Sequence, residues 1–219
     1  MAALGRCHLI TDTRSGRDPL AVLPAALDAG IEVVQVRVKD AGDRAVLAVV
    51  EAALALCAPY GATCIVDDRL DVALAAGAHG VHLGADDLPV AVARAVAGPQ
   101  LVIGATVRTP EAARAAIADG ASYLGTGPAF ATTTKAGLPG PIGAPGVAAV
   151  CAASSLPVVA IGGITADRVA PLLDAGAYGV AVIGAISDDP DPAAAARRLV
   201  AAVGRAVGDR RRHRGAGAA

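Results

Sequence analysis

The chain has 219 residues, a formal net charge of −1, 54% hydrophobic residues and only 2% aromatic residues. This length fits one α/β barrel or two small domains, and the core must be built mainly from small aliphatic side chains. The near-neutral charge and the shortage of aromatic rings argue against a nucleic-acid groove.

The N-terminus and the cysteines predict a soluble, cytoplasmic protein. The first residues lack the apolar segment of a signal peptide. Residues 136–166 are uncharged, but four prolines and six glycines interrupt them, so a strand-loop-helix-strand unit explains them better than a membrane span. The cysteines lack zinc-like spacing, which predicts free thiols in a reducing compartment. They are Cys7, Cys57, Cys64 and Cys151.

Short apolar runs alternate with alanine-rich helical patterns along the chain. Strands are predicted at 7–11, 33–38, 63–67, 80–83, 101–106, 123–126, 158–161 and 179–183. Helices are predicted near 18–29, 42–58, 69–76, 89–97, 110–119, 144–153, 165–175 and 192–207. Because parallel neighbours need a crossover connection, this alternation predicts a parallel sheet, and eight repeats predict an α/β fold of the closed (β/α)8, or TIM-barrel, type. An open doubly wound sheet is the alternative, but no G-x-G-x-x-G motif follows the first strand.

One barrel domain is predicted over residues 1–208. Residues 209–219 are basic and low in complexity, which predicts a disordered tail.

The second predicted strand ends in a polar stripe. Gln35, Arg37 and Lys39 alternate with Val36 and Val38, so period-two geometry directs the three polar side chains to one side. The inner side of a barrel strand is buried, and buried cations need anions. The stripe therefore favours an anion-binding role over a solvent-facing strand edge.

Acidic pairs follow the third and fourth strands. Asp67 and Asp68 end the third strand, and Asp86 and Asp87 follow the fourth. Carboxylates at neighbouring strand ends suit a hard cation such as Mg²⁺ that bridges to a substrate phosphate. Adjacent acidic residues also cap helices, and this alternative stays open.

Residues 123–135 run from a buried strand through glycine and proline into Thr132, Thr133, Thr134 and Lys135. Hydroxyl groups, a flexible backbone and a cation suit a phosphate, although a polar loop that caps the next helix has the same composition.

The carboxyl ends of barrel strands share one mouth, so two anion-binding regions are predicted there. Gly163 and Gly184 follow the last two strands, where backbone N–H groups can approach a phosphate. His82 lies inside the fourth strand and is predicted to be packed or hydrogen-bonded rather than catalytic. No Ser-His-Asp or Cys-His set stands out, and cations without a clear base indicate that a leaving diphosphate is stabilised.

These segments together resemble the thiamine-phosphate synthase (thiamine-phosphate pyrophosphorylase) family. The resemblance covers the chain from about residue 8 to residue 187. It is carried by VQVRVKD at 34–40, DDRLDVALAAGAHGVHLGADDLP at 67–89, YLGTGPAFATTTK at 123–135 and AIGGI at 160–164. It implies a transferase of thiamine biosynthesis that joins hydroxymethylpyrimidine diphosphate to hydroxyethylthiazole phosphate and releases pyrophosphate. The implied partners are these two phosphorylated small molecules, with no nucleic acid and no membrane, and a homo-oligomer is compatible with the resemblance.

The resemblance also implies site residues. The pyrimidine diphosphate would be bound by Gln35, Val36, Arg37, Val38, Lys39, Asp67, Thr106 and Lys135. The thiazole phosphate would be bound by Thr132, Thr133, Thr134, Gly163, Ile183 and Gly184. Mg²⁺ would be bound by Asp68 and Asp87. The catalytic residues would be Arg37, Lys39, Thr106 and Lys135.

The chain departs from the family pattern at several positions. Asp67 stands where Asn is usual, which adds a carboxylate beside the metal site, and Gly184 stands where Ser is usual, which leaves only a backbone N–H there. Thr106 replaces Ser and keeps the hydroxyl. The remaining departures are Val38 for Glu, Ala85 for Gln and Ala131 for Pro. None removes a charge that a dissociative substitution needs.

A related thiazole tautomerase and a non-catalytic binding barrel are the rival hypotheses.

Overall fold

The computed structural model describes residues 4–14, 16–134 and 137–216. Its strands are β1 Cys7–Ile10, β2 Val33–Val36, β3 Thr63–Asp67, β4 Gly80–Leu83, β5 Val102–Val107, β6 Tyr123–Thr126, β7 Val158–Ile161 and β8 Gly179–Val182. Each strand pairs in parallel with the next, and β8 pairs with β1 to close the barrel. The predicted (β/α)8 barrel is confirmed.

The helices lie between the strands and after β8. They are α1 Leu23–Asp28, α2 Asp43–Cys57, α3 Leu70–Ala75, α4 Val90–Ala97, α5 Pro110–Ala118, α6 Gly143–Ala152, α7 Val169–Asp174, α8 Gly184–Ser187 and α9 Pro192–Ala216. Two single 3-10 turns, Ala58–Tyr60 and Ala166–Arg168, adjoin α2 and α7.

Alternating burial explains how β2 positions polar groups at the mouth. Val34 and Val36 pack in the core between the strands and the helices, whereas Val33 packs inside the barrel with Ile10. Gln35 follows on the inner face and is almost completely buried. The predicted period-two pattern is therefore confirmed in this strand.

Two glycines, which have no side chain, leave room for the rings of Tyr123 and His82 inside the barrel. A Cβ atom at Gly104 would lie 2.3 Å from Tyr123 Cζ and 2.4 Å from His82 Nδ1, and one at Gly125 would lie 2.9 Å from His82 Cε1. Small residues on β5 and β6 thus admit the large ring of Tyr123, which is 2% exposed.

The strand β2 is shorter than the predicted 33–38. At its end the Thr11 side chain, instead of a neighbouring strand, makes the hydrogen bonds to the backbone of residue 37. Thr11 Oγ1 accepts a hydrogen bond from Arg37 N at 2.8 Å and donates one to Arg37 O at 2.9 Å. Arg37 therefore lies in the first position of the loop, tied to the end of β1.

The helices differ from prediction mainly at their ends. The first begins at Leu23 rather than 18, because Asp18 holds a turn by accepting from Leu20 N at 2.9 Å. Helix α8 was not predicted, since one turn carries no periodic signal. Helix α9 continues past 207 to Ala216, through most of the segment expected to be a disordered tail, and alanine and arginine favour this continuation. The domain boundary at 208 stays a prediction.

Among the residues that the structure describes, no helix combines the length and the apolar character needed to cross a membrane. All four cysteines are free thiols, as predicted, and three of them are buried.

Two buried threonines allow a direct test of the packing. Thr126 Oγ1 has no hydrogen-bond partner in the described part of the chain, whereas Thr11 Oγ1 makes both bonds to Arg37. An unpaired buried hydroxyl destabilises a fold, and removal of a paired one leaves its partners unsatisfied. We therefore expect Thr126→Val to raise the free energy of unfolding by about 1 kcal/mol and Thr11→Val to lower it by about 2 kcal/mol. Urea denaturation checks both, and equal losses would contradict this account.

Candidate active site

A cavity of about 610 Å³ opens where the carboxyl ends of the strands meet. Its lining includes polar side chains that lie within β2 to β5 or directly after them, among them Gln35, Arg37, Asp67, Asp68, His82 and Thr106. It also includes Thr132, Thr133, Thr134, Gly163, Ile183 and Gly184 from the opposite half. The two predicted regions thus share one cavity.

The first region is centred on Asp67. Gln35 Nε2 donates to Asp67 Oδ1 at 2.6 Å, Arg37 Nε lies 3.5 Å from Asp67 Oδ2, and Lys39 Nζ lies 3.8 Å from the same oxygen. Lys39 also forms an ion pair with Asp68. Burial and the neighbouring Asp68 raise the pKa of Asp67 to about 7. The cations predicted from β2 therefore have the anionic partners that burial requires.

Asp68 and Asp87 meet beside this cluster. Asp68 adopts a left-handed backbone, with φ at 64°, and its N–H donates to His82 O at 2.8 Å. Asp87 Oδ2 accepts from Gly84 N at 2.6 Å. Burial and a hydrogen bond with Asp68 raise the pKa of Asp87. Burial alone would raise the pKa of Asp68, but hydrogen bonds with Asp87 and Lys39 lower it.

The carboxylate pair fits Mg²⁺. No three His, Cys, Asp or Glu side chains form a cage for a metal within the described ranges. However, Mg²⁺ in proteins is commonly held by one or two carboxylates together with water and substrate phosphates. The hydrogen bond between Asp68 and Asp87 helps to raise the pKa of Asp87, so the two carboxyl groups lie close together, and a divalent cation bound between them would offset the repulsion of their charges.

His82 lies on the cavity floor and is hydrogen-bonded, as predicted. Its Nδ1 lies 2.8 Å from Tyr123 Oη, and its Nε2 lies 2.9 Å from Thr106 Oγ1. Burial raises the pKa of Tyr123, so the phenol stays protonated. The chain Tyr123–His82–Thr106 fixes the direction of the Thr106 hydroxyl at the cavity surface.

The second region is built from two loops that hydrogen-bond to each other. Ala129 N donates to Ile161 O at 2.7 Å, and Phe130 N donates to Gly162 O at 3.0 Å. Gly163 adopts φ of 61°, and a Cβ atom there would lie 2.3 Å from Ala131 O. This close approach holds residues 129–131 against the loop after β7, and Thr132, Thr133 and Thr134 follow them in the cavity lining. Lys135 lies outside the described residues, so its predicted roles stay predictions.

Val36 and Val38 lie on the other side of the polar stripe. Val36 is buried in the core under the helices, and Val38 packs against that core. The Val36 side chain therefore faces away from the cavity, and the predicted contacts of both valines with a ligand stay predictions.

An ion-pair network that the sequence did not reveal lies beside Gly184. Asp188 lines the cavity, and its Oδ1 lies 2.5 Å from Arg14 Nη2 and 2.7 Å from Arg17 Nη2. Arg14 and Arg17 also contact Asp12, at 2.6 and 3.0 Å. The loop after β1 is thus tied to the end of α8. A Cβ atom at Gly184 would lie 2.6 Å from Asp188 Oδ2. The Asp188 carboxylate can therefore occupy this position because residue 184 has no side chain.

His8 lies inside the barrel below the cavity and gives a pH-dependent contribution to stability. Its Nε2 donates to Gly5 O at 2.9 Å, and burial lowers its pKa to about 4. Between pH 6.5 and 4 the unfolded chain binds a proton that folded His8 does not, so stability falls as the pH is lowered. We expect the free energy of unfolding to lose up to about 3 kcal/mol from this residue over that range. Denaturation of the wild type and His8→Gln at several pH values checks this, and parallel curves would contradict it.

A closed barrel with a polar cavity at the carboxyl ends of its strands belongs to the class of (β/α)8 proteins, whose enzymes have their active sites at this end of the barrel. Comparison with known proteins narrows this class. The family described as thiamine monophosphate synthase matches residues 7–186. The thiamine-phosphate synthase of Salinispora arenicola is 57% identical over 206 residues, which are 93% of this chain and 99% of that protein. The corresponding protein of Anaeromyxobacter dehalogenans is 49% identical over 92% of this chain and 89% of its own length. The solved structure of thiamine phosphate pyrophosphorylase from Pyrococcus furiosus superimposes with a TM-score of 0.84 at 37% identity, covering 92% of this chain and 96% of that one.

The chain belongs to the thiamine monophosphate synthase family. Membership supports thiamine-phosphate synthase activity, and therefore a transferase reaction in thiamine biosynthesis.

Proposed function

We propose that the protein joins hydroxymethylpyrimidine diphosphate to hydroxyethylthiazole phosphate, with release of pyrophosphate. The observation that supports the proposal is that the cation–carboxylate region and the glycine–threonine region, both predicted to bind anions, open into one cavity. Two phosphorylated substrates need two such regions, and the reaction needs them next to each other.

The cation–carboxylate region would receive the pyrimidine diphosphate. Arg37 and Lys39 would bind the phosphate oxygens and take up the charge that develops as the carbon–oxygen bond breaks. Asp68 and Asp87 would hold Mg²⁺, which when bound would neutralise further charge on the diphosphate. Thr106, fixed by His82, would donate to the pyrimidine or to pyrophosphate.

The glycine–threonine region would receive the thiazole phosphate and direct the ring nitrogen at the pyrimidine methylene. The carbon–oxygen bond breaks, pyrophosphate leaves with the electron pair, and the nitrogen lone pair forms the new bond. The attacking nitrogen carries no proton, so the substitution needs no general base. This agrees with His82 being engaged by Tyr123 and Thr106.

Incubation of the purified protein with both substrates, with and without Mg²⁺, tests the proposal. Formation of equal amounts of thiamine phosphate and pyrophosphate, dependent on Mg²⁺, is the expected result. Conversion of the thiazole alone would indicate the tautomerase, and binding without turnover would indicate a binding barrel. Cytoplasmic location and assembly as a homo-oligomer stay predictions.

A further inference from the structure

Arg168 is a second cation at the cavity, on the side opposite Arg37. It is the last residue of the 3-10 turn Ala166–Arg168 after β7, and its half-buried side chain lines the cavity. In the described lining, Arg37 and Arg168 are the two side chains that carry a permanent positive charge.

The Arg168 guanidinium is held in place by two contacts. Its Cζ lies 4.7 Å from the centroid of the Phe130 ring, and its Nη1 donates to Gly163 O at 2.6 Å. A guanidinium that stacks on a ring and makes one hydrogen bond still has other N–H groups that can donate to a ligand. Because its position is already fixed, it loses little conformational entropy when the ligand binds.

Charge compensation distinguishes the two cations. Arg37 lies beside Asp67 at 3.5 Å, whereas Arg168 forms no ion pair with a carboxylate of the described ranges. The neighbouring Asp167 interacts with Arg168 only through a minor electrostatic effect, so the preorganised guanidinium next to the glycine–threonine region has no carboxylate in ion-pair contact within the described residues and is suited to a phosphate dianion.

We propose that Arg168 binds the phosphate group of the thiazole substrate and gives the site its preference for the phosphorylated thiazole over the free alcohol. This inference rests on the proposed function. It adds a side-chain cation to a region whose other described polar groups are hydroxyl groups, backbone N–H groups and the Asp188 carboxylate, which Arg14 and Arg17 neutralise. The two guanidiniums, on opposite sides of the cavity, then each bind the phosphate group of one substrate.

The test compares Arg168→Gln and Arg168→Lys with a matched control. Arg6 makes the same two kinds of contact away from this cavity, with Cζ 4.0 Å from the Tyr178 ring centroid and Nη1 donating to Tyr178 O at 2.6 Å. Arg6→Gln therefore controls for the loss of a stacked arginine. Calorimetric Kd values for hydroxyethylthiazole phosphate and for hydroxyethylthiazole, together with KM for both substrates, are the measurements.

Arg168→Gln is expected to weaken binding of the phosphorylated thiazole about 10- to 100-fold. Binding of the alcohol, KM for the pyrimidine diphosphate and the behaviour of Arg6→Gln should stay nearly unchanged, and Arg168→Lys should recover part of the loss. Equal weakening for both forms of the thiazole would show that Arg168 only shapes the loop, and no weakening would also overturn the inference. A wild type that binds the phosphorylated thiazole but forms no thiamine phosphate would contradict the proposed function alone, and the calorimetric comparison would still decide the role of Arg168.

Discussion

Asp68→Asn is expected to lower kcat/KM for thiamine phosphate formation about 100-fold or more and to raise the Mg²⁺ concentration needed for half-maximal rate. The substitution removes the charge but preserves the shape of the side chain. Asn also tolerates the left-handed backbone at this position, where φ is 64°. The loss should therefore appear in the kinetics and the Mg²⁺ titration, with little change in thermal stability.

Asp40→Asn is a matched control for this experiment. Asp40 is the other described non-glycine residue with positive φ, at 56°, and it is an exposed residue in the loop after β2. It should retain activity within about twofold, because within the described residues no hydrogen bond or ion pair joins it to the carboxylate pair. A similar loss in both variants, or an unaltered Mg²⁺ dependence in Asp68→Asn, would remove the basis for a metal at Asp68 and Asp87.

The barrel and the convergence of its polar strand ends could be predicted because both follow from short-range patterns. Short apolar runs recur eight times, each followed by turn residues and a helical pattern, and closure then brings distant strand ends to one mouth. Arg37, Lys39, Asp68 and Asp87 meet there as predicted, whereas Lys135 is not among the described residues. Their chemical roles stay predictions.

The missed features depend on contacts that no short-range pattern contains. Asp12 and Asp188 share two arginines although 176 positions separate them along the printed sequence, since β1 and β8 become neighbours only on closure. Arg168 lies within a segment predicted to be a helix near 165–175, and no sequence pattern assigned it to the site. Its side chain reaches the cavity because residues 166–168 form a 3-10 turn and because the guanidinium stacks on the Phe130 ring.

Gly163→Ala is expected to reduce both stability and affinity for the thiazole phosphate, because a Cβ atom there meets atoms that cannot move aside. It would lie 2.3 Å from Ala131 O and 2.9 Å from Phe130 Cβ, in the loop that carries the three threonines. We expect a loss of about 3 kcal/mol in the free energy of unfolding, which corresponds to a fall of about 6 to 12 °C in Tm for a chain of this size. KM for the thiazole phosphate should rise more than KM for the pyrimidine diphosphate.

Gly61→Ala separates the clash from the backbone strain. Gly61 has φ of 60°, within one degree of Gly163, and a Cβ atom there would have nothing within 4 Å. Its substitution adds the left-handed strain alone, about 1 kcal/mol, and should leave both KM values unchanged. Urea denaturation and steady-state kinetics of the two variants therefore measure how much the contact between the loops after β6 and β7 contributes beyond strain. If both variants lost the same stability and Gly163→Ala kept its affinity for the thiazole phosphate, this contact would not hold the threonine loop in its binding position.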